Sequence, residues 1–86
     1  MNERIQELKK QAWTLVSEEE RARGELYEAR EQWERCDQKF AELIVAECLK
    51  IAKNREDEFE SAGLLEESNA VGNVAYRISR QFGVKR

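Results

Sequence analysis

Across residues 5–43, apolar side chains recur at alternating steps of three and four. The positions are Ile5, Leu8, Ala12, Leu15, Glu19, Ala22, Leu26, Ala29, Trp33, Cys36, Phe40 and Leu43, and eleven of the twelve are apolar, Glu19 being the exception. Side chains alternate between faces along a strand, so this spacing would scatter them there. On a helix it gathers them into one stripe. Sustained over heptads, it is the pattern of a coiled-coil seam. The residues between are Glu, Arg, Gln and Lys, with Glu19 and Arg23, and Glu31 and Arg35, four apart on the helix surface. Proline is absent and glycine occurs four times, so few positions oppose long helices. The expected fold is all-α. A long helix and a shorter C-terminal helix form a helical hairpin, residues 1–86 make one domain, and copies assemble as a coiled-coil-like oligomer.

The helix boundaries follow from local chemistry. Ser17 with Glu20 three residues later fits a capping box, and Thr14, Val16 and Ser17 have weaker helix propensity. The first helix therefore either breaks near Ser17, giving segments of about 2–15 and 18–58, or runs through, and the break is the favoured reading. Gly63 is the expected hairpin turn. The last helix is expected over about 64–82, with Val71, Ala75, Ile78 and Phe82 on one apolar face, Val74 alongside, and Gly83 as a left-handed cap. Arg77, Arg80, Lys85 and Arg86 lie near its carboxyl end, where cations offset the helix dipole. Ala70, Gly72 and Ala75 are small residues that let helices approach closely.

Residues 40–52, FAELIVAECLKIA, are apolar at ten of thirteen positions. A helix apolar nearly all round is covered nearly all round, and one partner helix of a short chain cannot do this. The segment predicts a homo-oligomer, a trimer or larger in preference to a dimer. Leu26, Ala29, Trp33, Cys36, Phe40, Leu43, Ile44 and Ile51 are its expected core or interface residues, with Trp33 and Phe40 as buried anchors. Trp13 and Tyr27 fall just off the seam, where a ring covers a helix edge or meets a neighbouring subunit. Size points the same way. A chain of 86 residues buries only ~60% of its unfolded surface, and small domains compensate with disulfides, metals or association. Cys36 and Cys48 are twelve residues apart on one helix, ~18 Å along its axis, too far for a bridge. Free thiols suit a reducing cytoplasm. With no histidine, a structural zinc site has too few ligands.

Composition also narrows the function. Net charge is −3, which opposes general attraction to nucleic acid, and sequence-specific nucleic-acid binding is not expected. No apolar stretch approaches the ~18 residues of a membrane span, and Met1-Asn2-Glu3-Arg4 does not open a signal peptide. The expected location is the cytoplasm. Catalysis is not expected either. Histidine, the commonest acid–base group, is missing, the glycines at 24, 63, 72 and 83 form no phosphate loop, and both cysteines read as small buried hydrophobes. No cofactor or metal is expected. The basic end of the last helix has two readings. Tyr76, Arg77 and Arg80 either bind an anion or nucleotide, the arginines forking onto phosphate and the tyrosine stacking on a base, or they serve the helix dipole and pair with acidic residues 56–67 of another chain.

Residues 39–48, KFAELIVAEC, resemble the central phrase of a family of small tailed-bacteriophage proteins that share KFAELIV-x-EC and end on a helix closing in FGV. Here that ending is Phe82-Gly83-Val84, and Glu3-Arg4-Ile5-Gln6-Glu7-Leu8 is similar to the family's start. The match covers about a quarter of the chain, and residues 17–38 depart from it. The members are uncharacterised, so the resemblance implies a phage origin and the cytoplasm of a bacterial host. Leu65-Glu66-Glu67-Ser68, with Asn73 and Ala75, also resembles the second helix of the helical-hairpin sponges with which phages sequester cyclic-nucleotide immune signals. Glu58, Glu60 and Ser61 stand where those hairpins carry basic and hydroxyl groups. The resemblance implies a homo-oligomeric binding protein that counters host defence, with a cyclic nucleotide or ADP-ribose-type messenger as ligand. The alternatives are an adaptor that grips and inhibits a host protein and a structural or scaffolding component of the particle.

Overall fold

The computed structural model describes residues 2–85. Three helices follow one another: α1 (Glu3–Arg23), α2 (Ala29–Ser61) and α3 (Leu65–Phe82). Among the described residues there is no strand. The chain divides into two compact units, Met1–Ile44 and Val45–Arg86, and the 33-residue α2 contributes to both.

In the first unit, α1 opens on Asn2, whose side chain accepts the Arg4 amide hydrogen bond at 2.7 Å, an N-cap. It then passes Ser17 without a break, which corrects the expected boundaries of 2–15 and 18–58. The Thr14 hydroxyl donates to the Lys10 carbonyl at 3.0 Å, so its hydrogen bond stays within the helix. Val16, fully buried, gains more from burial than its branched side chain costs in propensity. The chain turns instead at Gly24. There φ is +72° and the amide reaches back to Arg21 and Glu20, a left-handed cap that suits glycine. Residues 24–28 connect to α2, so the chain has two turns where the sequence suggested one hairpin.

The apolar stripe of α1 differs from the heptad as well. Leu8, Ala12, Val16 and Glu20 are its buried residues, each four from the last. Leu15 is partly exposed and Glu19 half-buried. A step of four advances ~40° round the helix, so this stripe drifts away from the heptad line and brings a carboxylate, Glu20, inside.

The second unit pairs the later part of α2 with α3. Gly63, at φ +77°, makes the expected turn. Its amide donates to the Glu60 carbonyl and that of Leu64 to the Phe59 carbonyl at 2.9 Å, closing the end of α2. Gly83, at φ +65°, caps α3, and the Ser79 hydroxyl donates to the Val84 carbonyl just beyond it. Between the helices, Ser68 Oγ donates to the Glu56 carbonyl at 3.1 Å. Gly72 permits close approach, since a Cβ there would lie 2.7 Å from Glu56 Oε2. Among the described residues of this unit, Leu49, Ser68 and Ala75 are the buried ones.

Candidate functional site

Regular helical spacing places the proposed ligand-binding residues. Tyr76 and Arg80 are four apart on α3, and Arg77 and Arg80 three apart, so the three share neighbouring parts of one surface. With Asn73 and Gln81 they line a shallow depression. The Arg80 guanidinium lies over the Tyr76 ring, 5.8 Å from its centroid. Arg77 and Arg80 form no ion pair among the described residues. All three side chains are exposed. Because one helix supplies the whole lining, the depression is open to solvent on its outer side. The guanidiniums can fork onto an anion and the phenol can stack.

The eight residues expected in the core or interface separate by environment. Cys36 is buried, and Phe40, Leu43 and Ile44 are half-buried. Leu26, Ala29, Trp33 and Ile51 are exposed in the single chain, Leu26 at 77% and Trp33 at 59%. Trp33 is therefore not a buried anchor within the chain, and Phe40 is only half covered. Trp33 instead meets Trp13 edge-on, ring centroids 5.3 Å apart and planes at 82°, a favourable aromatic geometry. On α3, Ala75 is buried, Val71 and Ile78 half-buried, and Val74 and Phe82 exposed. Cys48 is exposed rather than buried, because it stands one residue, ~100° of rotation, from the buried Leu49.

A polar clasp at the first turn had no sequence expectation. Glu20 Oε2 accepts the Tyr27 amide hydrogen bond at 2.9 Å, and its carboxylate accepts the Gln32 side-chain amide at 3.1 Å. Outside it, Glu19 meets Lys39 at 3.3 Å and Arg35 at 3.7 Å, and Tyr27 Oη donates to Glu19 at 3.3 Å. The Tyr27 ring lies between the guanidiniums of Arg23 and Arg35, at 4.2 and 4.1 Å. Glu19 thus pairs across to α2 and not with Arg23 of its own helix, while Glu31 and Arg35 pair as expected at 3.1 Å. Hydrogen bonding to Glu31 raises the Arg35 pKa further, against a smaller opposing effect of burial. Burial, then the negative charges of Asp37, Glu20 and Glu19, push the Cys36 thiol up. A raised thiol holds little thiolate at neutral pH and is a poor nucleophile. The one signal for the clasp was Glu20 itself, four residues from Val16 at the helical repeat.

Among the described residues, no group of three histidine, cysteine or acidic side chains could hold a metal ion. No helix among them is long and apolar enough to cross a membrane. No protein-family model matches the chain, and neither a curated protein nor a solved structure is similar to it.

Proposed function

We propose that this chain is a non-enzymatic binding protein that works as a homo-oligomer. Its ligand is an anionic nucleotide held at Tyr76, Arg77 and Arg80, and its role is sequestration of a host immune messenger by a phage. The observation that carries the binding site is a pair of exposed arginines, with no ion-pair partner among the described residues, beside an exposed tyrosine on α3. Guanidinium supplies bidentate contacts to phosphate, and the phenol ring supplies a stacking platform. A second copy would close the open side of the depression. Association is supported by size: units of this length rarely stand on their own cores, and among the described residues of the second unit only Leu49, Ser68 and Ala75 are buried.

Calorimetry with a panel of cyclic di- and trinucleotides and ADP-ribose derivatives tests the ligand. A charge-assisted contact contributes ~1.5–3 kcal/mol, so Arg80→Ala should weaken binding at least about tenfold. No heat with any member of the panel counts against the messenger reading. The exposed apolar residues Ile51, Val74 and Phe82 favour a second reading, an adaptor that docks a host protein. A chain that stays monomeric in light scattering, binds no nucleotide and retains one stoichiometric host protein would establish that reading.

A further inference from the structure

We propose that α1 carries a second ligand site, at which Lys9, Lys10 and Trp13 bind a nucleoside phosphate. The Trp13 indole stacks on the base and the two ammonium groups hold the phosphate. The site belongs to the first unit and shares no residue with Tyr76, Arg77 and Arg80 of the second.

The sequence leaves the positive charge uncompensated. Residues 8–17 hold two lysines and no acidic residue, in a chain with 18 acidic and 15 basic side chains. On a helix, an acid reaches a lysine from three or four positions away. Lys9 has Ile5, Gln6, Ala12 and Trp13 at those positions, none of them acidic. Lys10 has Glu7, and Glu7 is paired with Arg4 at 2.9 Å. Both lysines are exposed, and neither forms an ion pair among the described residues.

The same spacing sets a ring beside these charges. Lys9 lies four residues before Trp13 and Lys10 three, so the two flank the indole on the helix surface. With Gln6, one turn earlier, they line a shallow depression. Trp13 is half-buried, and Trp33 of α2 braces it edge-on, with ring centroids 5.3 Å apart and planes at 82°. A ring held by its neighbours loses little further freedom when a ligand stacks on it. Aromatic stacking accepts any base, and lysine meets phosphate as a point charge. A ring alone does not select an anion, and a lysine alone does not select a plane. Together they select a molecule that carries both. Leu8, Ala12 and Val16, the main apolar row of α1, are buried, so the helix lacks the exposed apolar face with which an interfacial helix enters a lipid surface. That favours a small ligand.

Trp13 and Trp33 are the two tryptophans of the chain, so indole emission reports on this site and not on α3. Adenosine 5′-monophosphate should quench it saturably, with excitation on the red edge of the indole band, where the base does not absorb. Adenosine, and ribose 5-phosphate measured as a competitor, should each bind at least about tenfold more weakly. Lys9→Gln/Lys10→Gln should weaken binding at least about tenfold with helix content retained by circular dichroism, and added salt should weaken wild-type binding in the same direction. Trp33→Phe leaves Trp13 as the sole indole and should keep the quenching, and Arg80→Ala should leave it unchanged. If the double lysine variant unfolds, the three ligands and the salt series on the wild-type chain still decide. Absence of saturable quenching, or equal affinity for adenosine and its monophosphate, would overturn the site. Quenching lost in Arg80→Ala but kept in Lys9→Gln/Lys10→Gln would overturn it too, and would assign the ligand to α3. Loss of quenching in Trp33→Phe would overturn the placement of the base on Trp13.

Discussion

The two units use one motif, a pair of helical segments joined by a glycine-capped turn, and hold it differently. The first closes its turn with charge. Glu20 accepts hydrogen bonds from Tyr27 and Gln32, Glu19 reaches Arg35 and Lys39, and Leu8, Ala12, Val16 and Cys36 are buried beneath. In the second, the Ser68 hydroxyl donates to the Glu56 carbonyl between the helices, Leu49 and Ala75 are buried, and Ile51 and Val74 stand in solvent. A buried carboxylate demands satisfied partners and so specifies one geometry. An apolar face demands only coverage, which a second chain can supply. Under the association proposed above, the polar clasp fixes the first turn within the chain, and the thin apolar core of the second unit is what a partner copy would extend.

The largest test of this contrast is a matched pair of core truncations. Leu8→Ala and Leu49→Ala each remove a leucine side chain that is 3–4% exposed, and each should cost ~2–5 kcal/mol. Hydrogen exchange should show Leu8→Ala loosening amides of α1 while assembly persists. Leu49→Ala should loosen α3 and lower the assembled fraction together. Equal loss of assembly in both would erase the division of labour.

Removing the clasp comes next. Glu20→Ala leaves the Tyr27 amide and the Gln32 side chain without their acceptor, at ~1.5–3 kcal/mol for hydrogen bonds to a charged group. Ser68→Ala in the second unit should cost ~0.5–1.5 kcal/mol, the range for a neutral hydrogen bond. Denaturant midpoints rank the two, and a reversed order would show that the polar groups of the first turn do not hold it.

Gly72→Ala should have a smaller effect, with the opposite sign. An added Cβ meets only the end of the Glu56 side chain, which can swing aside. Alanine in a helix interior is favoured over glycine by ~0.5–1 kcal/mol. The melting temperature should therefore rise slightly, and a fall of several degrees would mean that Glu56 cannot move.

The smallest expected effect is on pH dependence. The folded Cys36 thiol has its pKa raised, by burial first and then by Asp37, Glu20 and Glu19. The folded state therefore holds this proton more tightly than the unfolded state. Its contribution is fully present below the unfolded thiol pKa and is lost as pH rises through the folded value. Stability should fall above about pH 9, and Cys36→Ala should flatten that part of the profile. An unchanged slope would assign the alkaline loss to other groups.

Much of this architecture was written in local chemistry. Helical periodicity, the absence of proline, Gly63 at the hairpin turn and Gly83 at the end of α3 each act over a few residues, and each was legible. So was the common surface of Tyr76, Arg77 and Arg80, because helical spacing alone brings them together. The break at Gly24 was hidden by a heptad that continues across it: Leu26, Ala29 and Trp33 keep the spacing while exposed in the chain. Periodicity records which side chains share a helical stripe and says nothing of whether the helix continues. The tertiary structure decided that Val16 and Glu20, rather than Leu15 and Glu19, turn inward, that Glu19 pairs with α2, and that Cys48 faces solvent while Leu49 does not. Those choices depend on where a second helix lies around the first, and a rotation of ~100° moves a side chain from core to surface without altering the sequence pattern.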